Sequence, residues 1–511
     1  MIRIFRNVFC ICLCAVLITL CGCKEEGTDS AIYADVGEKI TTLDPQLVSS
    51  ESEKTIVHNL YEGLTRLNKK GEPVLALAEN FEKNGNTYTF YLKDKLLWND
   101  GTALTADDFV FALRRGASAD TAAPDFQYVA CIKGANAVRN GADAKTLAVT
   151  AEDDRTLKIT LENDDGKLLY YLSKPICMPC NEKFFKSTNG KYGRDKESVL
   201  SNGPFRLRTW TTENYAVRLK RNENYTLENT AIPASVYITS NDKDTLIQNM
   251  ADGKIDLSLI KSAHYEKLAD KGLTIDKYFN RCWFIVINKN SALGDADIRK
   301  ALCLSLSREA LEKSLPAYIS TLDCYISQNS TFLETDIYSA VKAKNAPVYD
   351  SATAYTLYSN AVKKQQSEEP LTIIFPENEG LDSAVTSVAS SWQENLGCFI
   401  NMSALGGNSA VMSAINSGNY TVAVMGLDAN SGDAYEFLSN FNPENLSSLR
   451  NAKTAEEYTN AIVNIQKSLF ANNEIIPLVT TPTMLCYESD LSDVFYNTQN
   501  GFIDFTRIIK K

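Results

Sequence analysis

Histidine is almost missing from this chain: His58 and His264 are the only two in 511 residues. A hydroxyl or thiol nucleophile needs a base to activate it, and imidazole is the usual one. Imidazole is also the commonest ligand of transition metals. The scarcity argues against both chemistries, and against a metal chelate held by histidine. Basic charge is in deficit too, with 52 Lys and Arg against 63 Asp and Glu and a net charge of −11. Nucleic-acid partners need a basic face, so none is expected. Past the N-terminus there is no run of 18 apolar residues, so no later spanning helix is expected. The motifs GxSxG and HExxH and a Gly-rich phosphate loop are absent as well. These absences point away from an enzyme and from any cofactor or metal. Internal repeats and low-complexity tracts are also lacking.

What is present describes an ordinary globular protein, with 44% apolar and 23% charged residues. Its length exceeds one hydrophobic core, so two or more domains are expected. Arg3 and Arg6 precede the apolar run from Val8 to Leu20, which is too short to span a bilayer comfortably. Residues 1–22 therefore read as a signal peptide. It ends in Leu20-Cys21-Gly22-Cys23, which resembles the bacterial lipobox. That resemblance implies lipidation at Cys23, with residues 23–31 as a polar tether holding the protein to the outer face of a membrane. Of 13 cysteines, five lie in or at the end of this segment. Among the other eight, Cys177 and Cys180 form a CxxC in the strand-like run "KPICMPC". A redox pair would need a helix N-terminus, so buried or occasionally paired thiols are expected instead.

Farther along, Ile56, Leu60 and Leu64 stand at helical spacing, and Tyr88, Phe90 and Leu92 alternate as in a strand. Thr105 and Asp108 form a capping box before an apolar helix face. "FRLRTW" and "AVRLKR" read as a hairpin, and "RCWFIVINKN" as a buried strand. The stretch from Asp295 to Leu315 reads as one amphipathic helix. From there strands and helices alternate, which predicts an α/β domain with a largely parallel sheet.

Several stretches together resemble the extracytoplasmic solute-binding proteins, family 5, of peptide ABC importers: "TLDPQLVSS", "NLYEGLTR", "YTFYLKDKLLWNDGTALTADDFVFALRR", "SNGPFRLRTW", "IRKALCLSLSREAL" and "WQENLGCFINM" among them. The resemblance implies an α/β fold of the two-lobed periplasmic-binding-protein type. Three domains with mixed sheets and helices on their faces would form a clam. Lobe I would comprise residues 32–50, 166–284 and 480–511, an inserted domain II residues 51–165, and lobe II (domain III) residues 285–479. It implies an oligopeptide ligand, captured by hinge closure and handed to ABC permease subunits by a monomeric, exported protein. A second reading keeps the fold and changes the ligand to a non-peptide solute, or to a signalling peptide read by a sensor.

An extended peptide is held through backbone groups common to all sequences, so strand-edge backbone should form the site. By resemblance these residues are Val48, Ser49, Ser50 and Glu51 from lobe I, with Gly426, Leu427, Asp428 and Ala429 from domain III. The family has an aspartate for the ligand ammonium seven residues before a Phe-Leu pair. Counting back from Phe437 places Asn430 there, with Asp428 two residues earlier and Asp433 as a third candidate. Tyr61 and Glu62 either approach the cleft or stabilise a helix end.

Overall fold

A computed structural model describes residues 31–37, 39–211, 216–227, 233–332, 335–342, 344, 346–365, 371–429 and 432–511. The signal segment 1–22, the tether up to residue 30 with Cys23, and Asn430 lie outside the described residues.

Two long strands, Thr274–Ile287 and Ile475–Tyr487, run antiparallel down the middle of an eleven-stranded sheet. Their register slips between Tyr278 and Arg281 and again between Trp283 and Phe284. Such bulges bend a strand and increase its twist. On one side of this pair lie Val422–Asp428, Leu371–Pro376 and Ile400–Leu405. On the other lie Leu257–Ile260, Ala31–Asp35, Ser235–Thr239, Ala216–Arg221 and Phe205–Thr211. Each flank carries its own lobe, and the long pair is shared between them. The expected divisions at 284/285 and 479/480 fall inside these two strands.

A separate four-stranded sheet orders Ala78–Asn84, Thr87–Leu92, Thr156–Thr160 and Val149–Asp153. Tyr88, Phe90 and Leu92 point inward and are buried, as their alternation requires. Helix Ala106–Ala117 covers this sheet, and it starts with the Thr105–Asp108 capping box. Trp98 is buried against it and donates through Nε1 to Asp108 Oδ2 at 3.1 Å.

Three local expectations need correction. The Asp295–Leu315 stretch forms two helices, Ala296–Leu304 and Arg308–Ser314. Ser307 breaks it, because its hydroxyl accepts from the Ala310 N–H and starts a new helix. The CxxC run is a short 3-10 turn, Pro175–Cys177, rather than a strand. Both thiols are buried and unpaired, and burial pushes the Cys180 thiol up to about 12. The sheet beyond Asp295 is parallel only among three strands, and it joins the long pair antiparallel.

Candidate functional site

The segment that leads to the first candidate residues is held by two buried acids. Asp44 pairs with Arg115 of the small domain's helix. Glu53 accepts from Thr41 N at 3.1 Å, Thr41 Oγ1 at 2.6 Å, Thr42 N at 3.2 Å and Ser49 N at 3.3 Å. Ser50 then caps helix Glu51–Leu60 by accepting from the Glu53 N–H. The expected strand edge at Val48, Ser49, Ser50 and Glu51 is therefore a turn and a helix start. Val48 is buried, with its N–H bonded to the Asp44 carbonyl. Ser and an N3 glutamate are the residues of a helix N-cap, and that local signal outweighs any edge role. Glu53→Ala should lower unfolding stability by about 2–4 kcal/mol in urea titration, because several donors lose a charged acceptor at once.

The second group sits on a real strand. Gly426, Leu427 and Asp428 end Val422–Asp428, and Ala429 follows with its N–H bonded to the Asn280 carbonyl at 2.7 Å. Asp428 pairs with Arg281 (Nε to Oδ1, 2.7 Å), and Arg281 also reaches Glu379 at 3.4 Å. Asp433 caps helix Ala434–Ser439, and it forms an ion pair with Lys167 across the cleft.

Between the lobes lies a cavity of about 440 Å³. One wall carries Ser49, Glu51, Asp125, Tyr128, Tyr170 and Lys174, and the other Asp428, Glu436 and Phe437. Thus the structure gathers Ser49, Glu51 and Asp428, while Val48, Ser50, Gly426, Leu427 and Ala429 stand behind or beside the cavity lining. A second cavity of about 350 Å³ continues past Glu51 to Lys261, His264, Arg281 and Glu379. Tyr61 and Glu62 line neither. Tyr61 is buried, and Glu62 accepts from the Tyr225 hydroxyl at 2.8 Å. His58 is half-buried and stacked on Phe502, with desolvation holding its pKa well below the usual value.

Sequence reasoning missed four charged residues of the cavity, Lys54, Asp125, Lys174 and Glu436. Glu436 is the third residue of the short helix Ala434–Ser439. Among the described residues, the charges around the cavity are otherwise engaged. Asp125 pairs with Lys54, Asp428 with Arg281, and Glu51 accepts from the Tyr496 hydroxyl. Glu436 faces the Tyr128 hydroxyl, whose pKa is pushed up by burial and by the Glu436 charge, and that charge also acts on the Lys174 amine. Lys174 is buried. Its ammonium donates to Tyr170 Oη at 2.7 Å, the Gln499 carbonyl at 3.0 Å and Asn500 Oδ1 at 2.7 Å. It lies 3.9 Å from the Tyr170 ring centroid.

Burial pushes the Lys174 amine down to about 7, partly offset by the Glu436 carboxylate. An unfolded lysine titrates at about 10.4. Between these values the unfolded chain binds more protons, so Lys174 makes stability rise with pH from about 7 to about 10. The stability difference between wild type and Lys174→Met isolates this contribution. It should climb with pH over that window, and a flat difference would show an ordinary lysine.

Among the described residues no group of three or more His, Cys, Asp or Glu side chains is placed to hold a metal ion. No helix among them is long and apolar enough to cross a membrane.

A polar cavity between two lobes that share two hinge strands defines a solute-binding clam. The chain belongs to the bacterial extracellular solute-binding proteins, family 5: residues 72–447 match that family's middle region. It is 26% identical to a dipeptide-binding protein of Lactococcus lactis, over 84% of this chain and 82% of that one. It is 25% identical to a probable deoxycholate-binding periplasmic protein of Escherichia coli, over 90% and 88% of the two chains. The structure of Listeria monocytogenes OppA bound to peptide aligns with a TM-score of 0.76 at 18% identity, covering 95% of this chain and 99% of that one.

Proposed function

We propose that this protein captures oligopeptides between its lobes by hinge closure and delivers them to an ABC permease. The observation that carries this reading is the cavity of about 440 Å³ walled by both lobes, with a strand end at Asp428 on one side. Strand ends offer backbone pairing to an extended chain of any sequence. Ion pairs between Lys167 and Asp433, and between Lys261 and Glu379, bridge the cleft and would favour the closed state that binding selects. Glu436 is the carboxylate best placed for the ligand ammonium, because Asp428 already serves Arg281. Bulges in both long strands supply the bend about which the lobes rotate. The protein works as a monomer outside the cytoplasmic membrane, anchored through a lipid on Cys23.

Native mass spectrometry of protein purified without denaturation tests the ligand class. Peptides of mixed sequence should leave with the protein. If a bile acid or another non-peptide solute is recovered and peptides fail to bind, the peptide reading is wrong. Intact mass of membrane-extracted protein tests the anchor, and a mass lacking acyl chains would remove it.

A further inference from the structure

The three parallel strands of the second lobe run in the order 400–405, 371–376, 422–428. The chain goes outward from the middle strand to the edge and then crosses back to the far side. This reversal opens a crevice beyond the carboxyl ends of the strands at 371–376 and 422–428, where open α/β sheets bind ligands. Direct pairing of the two strands stops early, at Ile374 with Ala423. Past that point, among the described residues, Val422–Asp428 has no strand neighbour on this side.

The gap is partly filled by one side chain. Asn408, the first residue of helix Asn408–Ser417, accepts from the Gly426 N–H through Oδ1 at 3.0 Å. Its Nδ2 donates to the Gly426 carbonyl at 2.9 Å. A carboxamide bonded in this way presents the donor and acceptor of a peptide group. The Ala429 N–H points to the long strand, so by alternation Leu427 does the same. Gly426 and Asp428 face the crevice.

The geometry points to Asn408 as the residue that sets ligand register: it holds the place a ligand peptide group would take at Gly426. A bound peptide pairs with this strand at Asp428 and not beyond it. This rests on the peptide reading above. Removing the carboxamide opens one further peptide-group position, and each backbone hydrogen bond gained there is worth about 0.5–1.5 kcal/mol.

The test uses tetra-alanine and its singly N-methylated forms, measured by calorimetry against wild type, Asn408→Ala and Asn408→Asp. N-methylation deletes one ligand N–H donor at a time. Asn408→Ala empties the place, whereas Asn408→Asp loses the donor to the Gly426 carbonyl yet still fills the gap and keeps an acceptor for the Gly426 N–H. Asn408→Ala should show one more N-methyl-sensitive position than wild type, with a loss of about twofold to tenfold there, and Asn408→Asp should keep the wild-type profile. Identical N-methylation profiles in all three proteins overturn the Asn408 assignment alone. A wild type that binds none of these peptides, nor longer ones of mixed sequence, overturns the peptide reading and this inference with it.

Discussion

Asp44→Ala should lower the unfolding free energy by about 3–5 kcal/mol, the usual cost of removing one partner from a buried ion pair. Asp44 is 1% exposed. Arg115 holds it with both terminal nitrogens, Nη1 reaching Oδ1 at 2.7 Å and Nη2 reaching Oδ2. Nη1 also donates to Gln46 Oε1 at 2.6 Å, and the guanidinium stacks over the Phe185 and Tyr192 rings. Alanine at 44 would leave this cation in a nearly dry site with only the neutral Gln46 oxygen. The loss should also reach the cavity, because Asp44 Oδ1 accepts from the Gln46 N–H at 3.1 Å and so shapes the turn that leads to Ser49. Denaturant unfolding gives the number, and a loss under about 1 kcal/mol would mean that water replaces the carboxylate. Asp44→Leu combined with Arg115→Met should cost less than the sum of the two single changes, since it removes both desolvated charges together.

Local features of this fold were legible because their causes are local. The alternation of Tyr88, Phe90 and Leu92 is enough to place a strand with a buried face. Thr105 with Asp108, and Gly397 with its left-handed backbone at φ 70°, mark a helix start and a helix end. The break at Ser307 was hidden, since the apolar spacing continues across it and only the hydroxyl's choice of partner ends the helix. The site was less legible for a related reason. Asp44 and Arg115 are 71 residues apart, and Lys167 and Asp433 are 266 apart. No window of sequence contains either pair. Resemblance pointed to the strand end at Gly426–Asp428, but it does not say which backbone groups are already occupied. Asn408 closes Gly426, and the long strand takes the Ala429 N–H. Nothing in the sequence around Lys174 signals its burial, which comes from tertiary packing against Tyr128 and Tyr170.

Glu436→Gln should weaken binding of a free-amine peptide by about tenfold to a hundredfold. A hydrogen bond to a charged group is worth about 1.5–3 kcal/mol, and 1.4 kcal/mol is a factor of ten. The expectation comes from which carboxylate is uncommitted. Among the described residues Asp428 has Arg281 at 2.7 Å, Asp125 has Lys54 at 3.6 Å, and Asp433 has Lys167. An ammonium arriving at any of these must compete with a cation of the protein. Among the described residues Glu436 has no ion pair: it faces the Tyr128 hydroxyl and acts at longer range on Lys174, whose own donors are taken by Tyr170, Gln499 and Asn500. Glutamine keeps its size and its acceptor while deleting the charge. Calorimetry with tri-alanine and its N-acetylated form separates the charge effect from packing. The acetylated peptide should bind wild type and Glu436→Gln alike, because it brings no ammonium to either. Asp428→Asn should change tri-alanine affinity less than Glu436→Gln does. If Asp428→Asn carries the loss and Glu436→Gln is silent, the ammonium displaces Arg281 from Asp428. The ligand's N-terminus would then lie against the strand end rather than against the helix Ala434–Ser439.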